Sequence, residues 1–208
     1  MGSVDEPINR SKGCGGVMRT APLGFMKCWG RPLLTGAEAA AITHGHPGGW
    51  APGGMLADLV HRLIYGPACP LKQAVLESLA ATEAEWALPA VGEFGDMVRK
   101  AIELSRGDLP DVKAIHSLGG GWVGDEALAI AVYSCLKHPD DPRAALVSAV
   151  NHSGDSDSTG AIAGNILGAR LGLKALPREW IDRLELTDVI LKQAQNAVRA
   201  ALDSPHPL

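Results

Sequence analysis

Between Asp155 and Thr159 the chain places two carboxylates and three hydroxyls in five consecutive positions. Asp155, Asp157 and Ser158 stand at i, i+2 and i+3, where a helix is expected to begin. That spacing turns three oxygen donors toward one point just ahead of the first helical turn, beside its free backbone N–H groups. Hard oxygens suit Mg²⁺, Mn²⁺ or Ca²⁺ and not zinc. The plainer reading is a helix cap, with Asp157 or Ser158 on the free N–H groups. An EF-hand loop starting at Asp155 fails, because its twelfth position needs a bidentate Glu and holds Ile166. A phosphatase with Asp155 as nucleophile is disfavoured. Its first Asp should end a buried strand, and ALVSAVNHSG reads as helix and then loop.

Glycines follow the acidic cluster at every fourth position: Gly160, Gly164, Gly168 and Gly172. Each costs about 1 kcal/mol against alanine inside a helix. Along one ridge they predict the close approach of another backbone, hence a central helix with the carboxylates at an internal end. Crowded carboxylates repel unless a cation lies between them. The partial positive charge of the helix end opposes a cation slightly.

Three other stretches carry chemistry. SKGCGGVMRTAPLG (11–24) is a glycine loop flanked by Lys12 and Arg19. It lacks the Walker order, and reads as an anion nest or, more simply, a tight turn. THGHP (43–47) sets His44 and His46 two apart without a neighbouring Cys or carboxylate, which favours a helix-end, hydrogen-bonding or ligand-stacking role for His44 over a metal role. LGGGWVGDE (118–126) offers Trp122 either as a wall for a flat ligand or as a core plug, and taken alone the core is the simpler place.

The elements that position these residues are helices. The spacing predicts a short helix around Val17–Phe25, then one capped by Thr35 before GAEAAAITH, then Gly53–Tyr65, Leu71–Glu85, Val91–Ser105 and a turn at Asp111–His116. LGGGWVG breaks the pattern, and further helices fit 125–137, Arg143–Asn151, the glycine-rich run, Pro177–Leu184 and Thr187–Leu202. The tail SPHPL reads as frayed. No stretch alternates in the manner of a strand. The expected fold is all-α, a compact multi-helix orthogonal bundle in a single domain over 1–208. A net charge of −4 gives no reason to expect nucleic acid, and no apolar run is clean enough for a bilayer. Cys14, Cys28, Cys69 and Cys135 form no CxxC pair, which favours buried reduced thiols and a cytoplasmic setting.

In order, SKGCGGVMRTAPLG, THGHP, LGGGWVGDEALAIA and SGDSDSTGAIAGNILGA resemble the ADP-ribosylglycohydrolase family, the family of the dinitrogenase reductase-activating glycohydrolase. The resemblance runs from about Asn9 to Gly172. It implies a helical hydrolase of the glycosidic bond between ADP-ribose and an acceptor such as arginine or serine, with two Mg²⁺ (or Mn²⁺) ions. It implies that Asp155, Asp157 and Ser158 are metal ligands. It implies that Gly13, Cys14 and Gly15 lie against the phosphates or ribose of ADP-ribose, that His44 contacts it, and that Gly119, Gly120, Gly121 and Trp122 sit near its adenosine end. Relatives also carry G-D-(A/S)-x-G and Y-T-D-D-T segments ahead of these motifs. Both are absent here, and the other half of the metal site and the general base are expected in them. Asp140 and Asp141, enclosed by Pro139 and Pro142, read as a surface turn and not as a substitute. The partner expected is an ADP-ribosylated protein or small ADP-ribosyl compound, or, for a module without hydrolysis, ADP-ribose itself; oligomeric state is open. A missing segment would leave apolar surface uncovered.

Overall fold

Proline and glycine set the frame. The computed structural model describes residues 1–26 and 30–203, with side chains through 200. Cys28 and the SPHPL tail lie outside the described residues. Helix α1 (Pro32–Ala41) and helix α2 (Pro47–Tyr65) both start on a proline. At the first helical position proline loses nothing, because its missing N–H would have had no partner. Thr35 therefore does not cap α1. It sits one turn inside, and its hydroxyl donates back to the Arg31 carbonyl at 3.0 Å.

The two helices cross on glycines. A Cβ on Gly36 would lie 2.7 Å from the Gly53 carbonyl oxygen, and one on Gly54 would lie 2.6 Å from that of Leu33. The PGGWAPGG run, of which the expected helix Gly53–Tyr65 took only the last two residues, is thus the first two turns of α2, and α2 is buried from Gly48 to Val60.

Helices α3 (Leu71–Glu85) and α4 (Pro89–Leu104) close one side of α2, and the short α5 (Asp111–Leu118) leads into the glycine loop. Helix α6 (Gly124–Lys137) is buried without a break from Ala127 to Cys135, so it and α2 form the centre of the bundle. Helix α7 (Pro142–Val150) and helix α8 (Ser156–Leu171) pack on it. Asp141 caps α7 by accepting from the Ala144 N–H at 2.9 Å, and Asp140 is exposed, so this pair is a surface turn.

The remaining chain holds a 3-10 turn (Leu173–Ala175), a four-residue α9 (Arg178–Ile181) and α10 (Thr187–Asp203). The stretch Val17–Phe25 is two 3-10 turns (Val17–Arg19 and Ala21–Phe25) and not an α-helix.

The chain is all-α. Among the described residues there is no strand, only an isolated bridge between Gly13 and Val123. Asp155 therefore follows a loop and not a buried strand, which removes the phosphatase reading.

The glycine ridge of α8 does not do what its spacing suggests. A Cβ on Gly160 would meet the Val150 side chain at 2.6 Å, but one on Gly164 would sit 3.8 Å from Leu146 and one on Gly168 would meet nothing within 4 Å. The helix buries a different face, through Ser158, Thr159, Ile162, Ala163, Ile166 and Leu167. Gly172 has a separate reason. It ends α8 at φ 76°, ψ 168°, a region essentially closed to other residues.

Candidate functional site

Asp155 occupies the N-cap position of α8, yet its carboxylate caps no backbone N–H. The plainer cap reading, which named Asp157 or Ser158, is met in part, since Asp157 accepts from the first-turn Ser158 N–H. The Asp155 Oδ2 instead accepts from the Cys14 thiol at 2.6 Å, across 141 residues of sequence. Ser158 is buried, and its hydroxyl points at the Cys14 Sγ (3.5 Å) and the Met18 Sδ (3.3 Å). Asp157 is exposed and accepts from the Ser158 N–H at 2.7 Å. Burial alone would raise the Asp155 carboxyl pKa, but hydrogen bonds with Asp157, Cys14 and Ser158 outweigh it and hold it below the usual carboxylate value. Burial, and then the bond to Asp155, push the Cys14 thiol up, so it is a protonated donor and not a thiolate.

The Cys14 loop is fixed from two sides. Asn9 accepts from the Ser11 and Gly45 N–H groups and donates to the Thr43 carbonyl. The Cys14 N–H donates to the Trp122 carbonyl at 3.2 Å, and the Gly124 N–H donates to the Lys12 carbonyl at 2.8 Å.

His44 lies against the loop's glycines. A Cβ would come within 3.1 Å of its ring at Gly13, 3.5 Å at Gly15 and 3.3 Å at Gly16. Burial and the nearby Arg19 charge lower its pKa. Thr43 Oγ1 sits 2.7 Å from its Nδ1. The loop is a tight turn more than a nest. The N–H groups of Gly13, Cys14 and Gly16 all have acceptors inside the protein, and only the Gly15 N–H has none among the described residues. His46 caps α2 by accepting from the Gly48 N–H, and it does not join the site.

The second loop is tied to the first and to α8. Gly119 and Gly121 take φ of 121° and 76°, the left-handed side that favours glycine. Glu126 accepts from both the Gly120 and Gly121 N–H groups at 3.0 Å. The Gly120 carbonyl accepts from the Asp155 N–H at 2.8 Å. Trp122 is not a core residue. It is 64% exposed and forms a wall of a cleft of about 610 Å³, with Val112 and Lys113 from α5 and His152 and Gly154 from the turn before α8. The loop gives Trp122 no interior to enter, because its own carbonyl and the neighbouring glycines are already held against Cys14, Asp155 and Glu126. Three of the four motifs therefore meet at Asp155, and the fourth reaches them through His44, packed behind the first loop.

A family model described as ADP-ribosylglycohydrolase matches residues 2–206. The chain belongs to the ADP-ribosylglycohydrolase family. A protein of Archaeoglobus fulgidus described as uncharacterized is 31% identical over 177 residues, which is 83% of this chain and 53% of that protein. The ADP-ribosyl-dinitrogen reductase glycohydrolase of Rhodospirillum rubrum is 38% identical over 47 residues, 23% of this chain and 16% of that one. A solved structure described as an ADP-ribosylglycohydrolase-related protein complex superposes with a TM-score of 0.62 at 26% identity, over 92% of this chain and 61% of its own. The chain thus spans about half the length of the archaeal relative. Among the described residues, no helix is long and apolar enough to cross a membrane.

Within this ADP-ribosylglycohydrolase-family chain the donor set has the right character for a hard cation and is incomplete. Asp155, Asp157 and Ser158 would supply up to three ligands from one side of the site, and the other positions of an octahedral ion such as Mg²⁺ would fall to waters or further groups. Among the described residues no group of three or more His, Cys, Asp or Glu is placed to hold a metal.

Four further residues build the site and escape a sequence reading. Glu126 holds the glycine loop, Met18 faces Ser158, and Asn9 locks the first loop. His152 accepts from the Gly154 N–H on Nδ1 at 3.1 Å, which leaves Nε2 as the donor to Thr159 Oγ1 at 3.0 Å. LGGGWVGDE contains Glu126 and ALVSAVNHSG contains His152, so both residues were in view without a reason to single them out.

Proposed function

We propose that this chain carries the ADP-ribose-holding part of a hydrolase that cleaves the glycosidic bond between ADP-ribose and an acceptor, with Asp155, Asp157 and Ser158 as ligands of Mg²⁺ (or Mn²⁺). One observation supports it above the others: the 2.6 Å contact between Cys14 and Asp155, which joins the glycine loop to the acidic cluster. A bound divalent pair at such a site supplies Lewis acidity, orienting the ribose hydroxyls and acidifying a water.

The chain's own residues do the rest. Cys14 takes Oδ2 of Asp155 and leaves Oδ1 clear of the thiol. The lowered carboxyl pKa keeps Asp155 anionic at neutral pH, as a ligand must be. Gly13 and Gly15, on either side of Cys14, expose backbone without side chains, and the free Gly15 N–H is a donor for a phosphate or ribose oxygen. The Gly119–Trp122 loop bounds the adenosine end.

A second reading, an ADP-ribose-binding module without hydrolysis, is favoured by the lack, among the described residues, of a group of three or more His, Cys, Asp or Glu placed to hold a metal. Calorimetric titration and a release assay separate them. ADP-ribose binding with Mg²⁺-dependent release from ADP-ribosylated arginine or serine peptides supports the hydrolase, and binding without release supports the module. For the hydrolase, Asp155→Ala or Asp157→Ala abolishes release, and normal turnover in either variant removes the metal assignment. A chain that binds no ADP-ribose at all overturns both readings.

A further inference from the structure

His46 is the member of the THGHP pair that the site leaves unused, and it does a job seldom given to histidine. It stands at the N-cap position of α2, where its Nδ1 accepts from the Gly48 N–H at 3.0 Å. Helices are usually capped by Ser, Thr, Asp or Asn, which keep an acceptor oxygen throughout the physiological pH range. Imidazole does not. To accept on Nδ1 the ring must be neutral, with its proton on Nε2. One added proton turns Nδ1 into a donor aimed at another donor. It also sets a positive charge on the positive end of a 19-residue helix.

The turn that His46 caps is the seat of both glycine loops. The His46 N–H donates to the Ser11 carbonyl at 3.2 Å. A Cβ on Gly49 would lie 2.7 Å from that same oxygen, and one on Gly16 would lie 2.6 Å from the Gly49 carbonyl oxygen. Gly124, which ends the second loop and begins α6, rests on the same turn. Its Cβ would lie 2.8 Å from the Gly48 carbonyl oxygen, and its N–H donates to the Lys12 carbonyl. These contacts are backbone on backbone, so the first turn of α2 cannot shift without moving the segments that carry Cys14 and Gly121. The charged groups facing His46 are Lys12 and Arg10 ahead of the first loop's glycines, Asp125 on α6 and Glu93 on α4. His44 lies behind the same loop, beside Arg19. Burial, then Lys12 and Arg10, lower the His46 pKa from its ordinary value, and Asp125 and Glu93 oppose them by less.

A base whose folded pKa lies below its unfolded one contributes stability that is complete above the unfolded value, about 6.5 for histidine, and is lost as pH falls through the folded one. We propose that His46 is a pH-sensitive positioning residue: neutral, it closes the first turn of α2 under the two loops, and protonated, it releases that turn and loosens the Cys14 loop. The coupling to ADP-ribose rests on the functional reading above; the coupling to the loop does not.

The test follows the ligand-free chain by NMR and amide hydrogen exchange between about pH 7.5 and about pH 5, for the parent, His46→Asn, His46→Ser and His46→Ala. The Gly48 amide resonance is expected to titrate in step with the His46 ring. Protection of the Gly48, Gly49 and Cys14 amides, corrected for the intrinsic rate, should fall about fivefold or more in the parent relative to Leu56 and Leu59. His46→Asn and His46→Ser keep an acceptor that does not titrate in this range, so protection stays near the parent's value at neutral pH. His46→Ala has no acceptor, so protection is low already at about pH 7.5 and shows no step. A role in packing alone would give the parent no step. A fall that persists in His46→Asn and His46→Ser belongs to another group, His44 first among them, and overturns the inference. So does a Cys14 amide that stays protected while Gly48 opens. Calorimetry with ADP-ribose separates this inference from the functional reading. Affinity should fall at least about threefold over the same pH range in the parent and hold in His46→Asn. If the step in protection appears but ADP-ribose binds at no pH, the functional reading fails and this one stands. If ADP-ribose binds and no step in protection is seen, the reverse is true.

Discussion

Gly154 has no room for a side chain: a Cβ there would fall 1.8 Å from the Gly120 carbonyl oxygen. The obstacle is backbone, and that carbonyl also holds the Asp155 N–H. Gly154→Ala must push the 119–122 loop off the start of α8. We expect a loss of about 2–3 kcal/mol in urea denaturation, together with weaker ADP-ribose binding in calorimetry. Asp111 gives a second prediction at this scale. Burial would raise its carboxyl pKa, but hydrogen bonds from His138 and Tyr133, each 2.8 Å long, outweigh it and lower it. A carboxyl with a folded pKa below its unfolded one contributes stability that is complete above the unfolded value and is lost as pH falls through the folded one. Asp111→Asn should therefore cost about 1 kcal/mol at neutral pH. The gap to the parent chain should close as pH drops below about 4, read as urea midpoints across pH. Residue types and spacing marked Asp155, Asp157 and Ser158 in the sequence as candidates beside the plainer cap reading, and the glycine loop marked Cys14. Glu126 and His152 were not visible. A Glu in a first helical turn is ordinary dipole chemistry, and its partners are backbone N–H groups that only a folded loop brings near.

Elements were legible where polar and apolar residues alternate with the helical period, and illegible where the helix is built of small residues. The bounds of α3 agree with the spacing at both ends, since Pro70 precedes it and Leu71, Val75 and Leu79 mark one buried face. The start of α2 was missed by six residues, because four glycines and two prolines in its first turns argue against helix on propensity. Tertiary packing overrides that, as α1 needs those glycines to approach. The same logic misplaced the close approach at α8, where spacing alone marks a ridge that the neighbours do not fill. This separates two kinds of glycine by experiment. Gly168→Ala meets nothing within 4 Å and should raise stability by about 0.5–1 kcal/mol, through a less flexible unfolded chain and better helix propensity. Gly54→Ala, with a backbone oxygen 2.6 Å from the new Cβ, should lower it by about 2 kcal/mol. Thermal melts of the two variants are expected to move in opposite directions. A destabilised Gly168→Ala would restore the ridge reading.

Across the whole molecule the burial is uneven, and this sets where it opens. Trp50, Met55, Leu56 and Leu59 on α2 and the run Ala127–Cys135 on α6 are fully buried or nearly so. No described residue after Leu167 is buried. Helix α10 is 17 residues long and touches the 3-10 turn at Ala21–Phe25, while Val189, Ile190 and Val198 are 52%, 49% and 54% exposed. A helix of that length has little stability of its own in water, since most helical stability in proteins comes from packing an apolar face. Local opening of α10 should therefore cost far less than unfolding of the bundle. In amide hydrogen exchange at micromolar concentration, residues 187–203 are expected to exchange at least about a hundredfold faster than the amides of α2 and α6. The site residues Cys14 and Asp155 should follow the slow group, because both are tied to α6 through the Gly120–Glu126 loop. Adding ADP-ribose should slow exchange around 13–16 and 119–122 and leave α10 unchanged. The opposite result is also informative. Strong protection of α10 that fades on dilution would mean that its apolar face is covered by another chain in solution, and the oligomer would then be part of the native protein.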